Sequence, residues 1–206
     1  YLYQCSLHLY HQTNEQNLRC GKRSDRIVMK KAVYIEEIHT ISALGIEEAE
    51  KRKGYLSGQT ALGFNDELNR FTGAVADKHL LPSDSKYHAK LDRTVRLALS
   101  LSARMCQSNT NITDQTGVSL GSSRGATELL EGDLQAFVNK EDVRQLSSPT
   151  TTMGNISSWV AQDLKAFGPN VENSMTCSTA AQSILTAVAY LNSDMCAQFV
   201  AGGAEA

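Results

Sequence analysis

The stretch Asn173-Ser174-Met175-Thr176-Cys177-Ser178-Thr179-Ala180-Ala181 decides how this chain is read. Upstream of it, Gly168-Pro169 is a turn signal, and residues 171–175 form a short extended segment poor in helix formers. Downstream, Ala180, Ile184, Ala187, Val188 and Leu191 recur at helical spacing. The pattern predicts a helix over 178–192 with Ser178 or Thr179 as its N-cap. Cys177 therefore stands at a strand-to-helix junction. A helix N-terminus offers unpaired N–H groups and a positive dipole end, so a thiol placed there is favoured as the nucleophilic thiolate. The same N–H groups can hold an oxyanion that forms on a bound substrate. Read locally, Cys177 is either such a nucleophile or a small buried hydrophobe at a tight junction, which is what most cysteines are.

Phe199-Val200-Ala201-Gly202-Gly203-Ala204-Glu205-Ala206 reads as a buried strand ending in a glycine pair. With Gly168-Pro169 and Thr176-Cys177-Ser178, in this order and at these separations, it closely resembles the active-site region of the β-ketoacyl-acyl-carrier-protein synthases. These are the condensing enzymes of the thiolase-like superfamily. The resemblance implies that Cys177 is the catalytic nucleophile.

Length and composition are compatible with that. A chain of 206 residues can bury one real core. A net charge of −2 makes no electrostatic case for nucleic acid or an anionic membrane surface. Hydrophobic content is 41%, and the longest apolar runs are too short to span a bilayer. Five cysteines, an odd number at irregular spacing, make no disulfide framework. No Cys-x-x-Cys pair or histidine cluster suggests zinc, and a reducing, cytoplasmic setting is expected.

Residues 1–28 read differently from the rest. They begin at Tyr1, carry Cys5, His8, His11 and Cys20, and lack the basic segment and apolar core of a secretory signal. His8 and His11 have no partner cluster that would make them metal ligands. Met29-Lys30-Lys31-Ala32-Val33-Tyr34-Ile35 reads as a natural start. Residues 1–28 are accordingly expected to be an extension outside the fold, and 29–206 the folded domain.

Within that domain a strand is expected over 33–41, followed by a charged helix and turn over 46–59 whose charges make a solvated face. Residues 64–81 are weakly patterned and read as loop with a short strand. Residues 95–103 form an apolar helix entered through Leu91-Asp92-Arg93, where an early Asp suits the helix dipole. A strand over 116–120 leads into Gly121-Ser122-Ser123-Arg124-Gly125. That turn lacks a Gly-Lys-Ser/Thr ending and a full dinucleotide fingerprint, so tight backbone passage explains it better than phosphate binding. Helices are expected over 127–138 and from 147 to 165 or 166. Trp159 reads as core or interface, and Cys106 and Cys196, in apolar runs, as inert.

Alternating strands and helices argue for an α/β fold. The resemblance narrows this to the thiolase-like fold, a five-layered α/β/α/β/α structure of two similar halves, of which this chain corresponds to the N-terminal half. Ile41-Ser42-Ala43-Leu44-Gly45 is similar to the family's Val-Ser-Pro-Leu-Gly, with alanine for proline, and Leu91-Asp92-Arg93 to its Met-Asp-Arg. Residues 149–156 are similar to its Pro…Asn-Met segment, here in the order Met-Gly-Asn. The family's two catalytic histidines and its gating phenylalanine belong to the second half. His39, His79 and His88 sit in no matching motif and inherit no role.

For a complete relative the resemblance implies decarboxylative Claisen condensation. Cys177 takes an acyl group from the phosphopantetheine arm of an acyl-carrier protein, and malonyl-carrier protein then supplies the attacking carbanion. No metal or soluble cofactor is implied, because the arm arrives on the substrate. The expected partners are acyl-carrier protein and a second condensing-enzyme subunit, as homodimer or heterodimer. Cysteine where chain-length-factor relatives have glutamine favours a catalytic subunit. The alternatives are a non-catalytic partner subunit and a coenzyme A-using thiolase relative. As a fragment, the chain is expected not to condense by itself and to expose surface that its second half would cover.

Overall fold

The computed structural model describes residues 4–11, 32–58, 60–80, 90–108, 111–153 and 155–206. Met29, Cys20 and His88 lie outside them. Its centre is a five-stranded sheet of β1 (Gln4–His11), β2 (Val33–Ile41), β5 (Gly117–Gly121), β6 (Asn170–Asn173) and β7 (Gln198–Gly203), in the order β2-β1-β7-β5-β6. β7, β5 and β6 run parallel, and β1 runs antiparallel to both of its neighbours. A separate hairpin, β3 (Gly63–Asn65) with β4 (Arg70–Thr72), fills the weakly patterned region, with Phe64 and Phe71 edge-to-face at 5.3 Å.

Side-chain alternation divides the sheet between two helical layers. From β5 and β7, Val118, Leu120 and Val200 point into a core shared with α2 (Arg93–Gln107) and α5 (Asn155–Leu164). On the opposite face Leu9, Phe199 and Ala201 pack against Ala187 and Leu191 of α6 (Thr179–Asn192). Helix α2 is buried on two flanks: Val95, Ala98, Leu99 and Met105 join the first core, while Leu97 and Leu101 meet Ile41 and Leu80 in a third. Its N-cap, Asp92, is 1% exposed; Oδ1 accepts from the Thr94 N–H at 2.8 Å and Oδ2 from the Leu129 N–H at 3.1 Å. One carboxylate thus caps α2 and docks the start of α3 (Thr127–Val138). The result is helices, sheet and helix in three layers, the α/β architecture expected of one thiolase-like half.

Three expectations change. First, residues 1–28 are not wholly outside the fold, because Gln4–His11 is an interior strand, pairing Gln4–His11 with β2 and residues 5–10 with β7. Cys5, Leu7 and Leu9 carry the period-two signal of a strand, and Leu9 is 2% exposed in the α6 core. His8 and His11 therefore sit on strand positions. Second, the helix expected from 147 to 165 is two helices, α4 (Ser147–Thr151) and α5, because Thr152 is extended at ψ 151° and the turn re-forms at Asn155. Third, Cys106 stands exposed and not in the core that its apolar run suggested, with desolvation and the Asp163 carboxylate pushing its thiol up. Helix α1 (Glu48–Ser57) ends where Gly58 adopts a left-handed φ of 66°. Trp159 packs, partly buried, against the α2–α5 core.

Candidate active site around Cys177

Cys177 lies where the sequence puts it, exposed, in a single 3-10 turn (Thr176–Ser178) between β6 and α6. The turn is strained at one point: Thr176, directly before the cysteine, has φ 50°. A β-branched residue in the left-handed region costs about 1–2 kcal/mol and persists only where its surroundings hold it there. They do so from both sides. Thr179 Oγ1 accepts from the Met175 N–H at 2.8 Å and donates to the Thr176 carbonyl at 2.7 Å. Ser178 Oγ donates to the Met175 carbonyl at 2.8 Å. From the sheet side, Ser174 Oγ donates to the Ser123 carbonyl at 3.2 Å.

The first turn of α6 is set close to the sheet by glycines. A Cβ on Gly121, the last residue of β5, would strike the Asn173 carbonyl oxygen and Thr179 Cγ2; one on Gly203 of β7 would come within 2.9 Å of the Ala180 Cβ. Gly121 and Gly203 are thus the floor on which α6 begins. Close backbone passage thus holds at Gly121, where the Gly121–Gly125 turn begins. Asn173 closes the assembly, its Nδ2 placed 3.0 Å from Ser119 Oγ of β5 and 3.4 Å from Ser183 Oγ of α6.

Two carboxylates that the motif reading left without roles are held near the ends of β6 and β7. Glu205 receives the Ser122 hydroxyl at 3.1 Å and the Ser123 N–H. Glu172, on β6, accepts the Ser157 N–H at 3.1 Å through Oε2, while Oε1 is buried without a hydrogen-bond partner among the described residues. Burial pushes the Glu172 carboxyl up to about 8 from its ordinary 4.5. No local sequence signal marks Glu172 as buried, because its burial comes from α5 closing over an edge strand.

The sign of the resulting pH dependence follows directly. Between its ordinary value and about 8 the folded chain holds a proton that the unfolded chain has lost. That stability is fully present below the unfolded value and disappears as pH rises through the folded one. Glu172→Gln, uncharged and of the same shape, is expected to match the wild type at pH 5 and exceed it at pH 9 by on the order of 3 kcal/mol. Urea denaturation at the two pH values checks this; parallel pH profiles for the two chains would refute it.

His39 is remote from this chemistry in its bonding, its Nε2 lying 3.0 Å from Glu37 Oε2 on β2, and His79 lies in the turn Asp77–His79. Among the described residues no group of three or more His, Cys, Asp and Glu could hold a metal ion, and no helix is long and apolar enough to cross a membrane.

Comparison with known proteins agrees with the geometry. The family model of the β-ketoacyl synthase N-terminal domain matches residues 42–206. No curated protein matches the chain by sequence. Among solved structures, the ishigamide ketosynthase/chain length factor superposes with a TM-score of 0.68 at 22% identity, covering 80% of this chain and 50% of that one. A β-ketoacyl synthase from Burkholderia phymatum STM815 gives 0.63 at 20% identity, covering 74% and 41%. A ketosynthase in complex with its chain length factor from Xenorhabdus doucetiae gives 0.54 at 14%, covering 74% and 59%. The chain spans about half the length of these structures, and at such identities they speak for the fold, which is thiolase-like. With a family model matching nearly all of the chain from β2 onward, and an exposed cysteine held at the start of the helix after β6, the chain belongs to the β-ketoacyl synthase family, as its N-terminal domain.

Proposed function

We propose that this domain supplies the nucleophile of a β-ketoacyl-acyl-carrier-protein synthase, an acyltransferase in which Cys177 carries the growing acyl chain. The observation that carries the reading is the exposed thiol at the head of α6, directly after a left-handed Thr176 that hydrogen bonds brace from both sides. The thiolate attacks the carbonyl carbon of an acyl thioester, forming the C–S bond and a tetrahedral oxyanion. Backbone N–H groups at the helix start can receive that charge. Collapse of the oxyanion expels the phosphopantetheine thiolate and leaves the acyl group on Cys177. Loss of CO₂ from malonyl-carrier protein and attack of the resulting carbanion on the acyl-enzyme complete the condensation. That step draws on residues beyond this domain.

Acyl-carrier protein is the proposed donor. A cavity of about 680 Å³ is lined by Lys90, Arg93, Arg96 and Arg144 against the single acid Glu128. Arg93 is tied to Asp77 and Arg144 to Asp133, whereas Lys90 and Arg96 enter no salt bridge among the described residues. Such a surface suits an acidic protein carrying a phosphate-linked arm. A second condensing-enzyme subunit is the other proposed partner, since two of the similar structures are ketosynthase/chain length factor assemblies. Cys106, Cys177 and Cys196 are free thiols, which fits a reducing, cytoplasmic setting.

The test is mass spectrometry of the chain after incubation with acylated carrier protein. An acyl adduct on the peptide bearing Cys177 supports the reading. An unmodified Cys177 would leave the non-catalytic partner subunit as the better description. The docking surface has its own outcome: Lys90→Glu with Arg96→Glu is expected to lower transfer from carrier protein, relative to transfer from a small acyl thioester, about tenfold at low salt. An unchanged ratio rejects that surface.

A further inference from the structure

We infer that Glu205 is a positioning residue for the nucleophile, holding the Cys177 loop through Ser122, Ser123 and Ser174. This rests on the reading of Cys177 as the nucleophile. The carboxylate lies just past the end of β7 and takes two donors from one turn, the Ser122 hydroxyl at 3.1 Å and the Ser123 N–H. Ser122, 1% exposed, uses the same hydroxyl oxygen to accept the Gly125 N–H at 2.8 Å. Three groups of a Gly/Ser turn that could adopt many conformations are thereby fixed around one charge-assisted cluster. The Ser123 carbonyl, oriented by that cluster, accepts Ser174 Oγ–H at 3.2 Å. Ser174 is three positions before Cys177 and two before the left-handed Thr176.

The need for such a brace follows from the strain. Relaxing Thr176 to an ordinary φ would swing the next residue away from the head of α6, and the helix-side bonds of Thr179 and Ser178 anchor only Met175 and Thr176. The bond from Ser174 to Ser123 anchors the loop to the sheet, and Glu205 makes the Ser123 carbonyl a rigid acceptor. The last acid of the Gly-Gly-Ala-Glu run thus acts on the cysteine through hydrogen bonds, without contacting the reacting atoms.

The measurement is the rate of Cys177 alkylation by iodoacetamide in the folded chain, divided by its rate in the same chain unfolded in urea, followed by peptide mass spectrometry. The wild type is expected to give a ratio well above one. Glu205→Ala and Ser174→Ala are expected to lower it about fivefold, and Glu205→Gln, which keeps a carbonyl acceptor for both donors, to restore it to within twofold. Melting curves are recorded alongside. If Glu205→Ala does not fold, Ser174→Ala, at an exposed position, decides. Lowered melting temperatures with an unchanged ratio would overturn the positioning role while leaving the nucleophile intact. A wild-type ratio at or below one removes the nucleophile reading itself, and this inference with it.

Discussion

Cys177→Ala is expected to abolish acyl uptake from acylated carrier protein, by at least ~10⁴-fold, the scale on which loss of a covalent nucleophile is felt in other acyl-transfer enzymes. The reason is chemical rather than structural. The C–S bond to the substrate can form only at this sulfur, and no neighbouring side chain replaces it: Ser178 Oγ is engaged with the Met175 carbonyl and Thr179 Oγ1 with Met175 and Thr176. Of the other described cysteines, Cys196 is partly buried and its thiol is pushed up by that burial. Because Cys177 is exposed, the substitution removes little packing, and stability should stay within about 0.5 kcal/mol of the wild type. Intact-mass measurement of the adduct, beside a denaturation curve, separates the two effects. An adduct that persists in Cys177→Ala would move the nucleophile elsewhere.

Gly121→Ala is expected to cost about 3 kcal/mol or more, the largest stability effect of any single methyl added to this domain's floor. The added Cβ would sit inside the contact distance of the Asn173 carbonyl oxygen and Thr179 Cγ2, and 3.1 Å from the Asn173 carbonyl carbon. Backbone on one side and the first turn of α6 on the other leave no flexible side chain to yield. Relief requires β6 to part from β5, which opens the pairing of Gly121 with Asn173 and the Asn173–Ser119 hydrogen bond. The same displacement moves the head of α6, so acylation of Cys177 should fall with stability. Gly132→Ala is the matched control: it lies inside α3 with nothing within 4 Å of the new methyl, and should gain about 0.5–1 kcal/mol. Urea denaturation of both variants checks the contrast. Equal, small effects would show that the β5–β6–α6 junction is looser than its geometry implies.

Much of this site was legible because its signals are local. The apolar spacing of Ala180, Ile184, Ala187, Val188 and Leu191 is a helix wherever it occurs, and α6 begins within one residue of the expected place. The run 127–138 and the strand 33–41 appear with the bounds expected of them. The buried strand expected to end in the Gly202–Gly203 pair is β7, which ends at Gly203. Cys177 at the junction of β6 and α6 followed from these elements alone.

What the chain order concealed are the partners that arrive from far away in sequence. Whether Gln4–His11 is a strand depends on Phe199 and Val33 standing on either side of it, and no window of residues contains all three. An alternating segment rich in polar residues has no independent stability as a strand; pairing on both edges and the burial of Leu9 supply it. Glu172 is an ordinary acid in sequence and becomes a proton-holding one only under α5. Glu205 reaches Ser122 and Ser123 because β7 lies beside β5. The sequence by itself thus determined the junction at Cys177 and the elements that present it, since propensity and periodicity act within a few residues. Only the tertiary structure decided which strand fills the sheet and what holds Glu172 and Glu205, since burial and hydrogen bonding are set by neighbours that folding brings together.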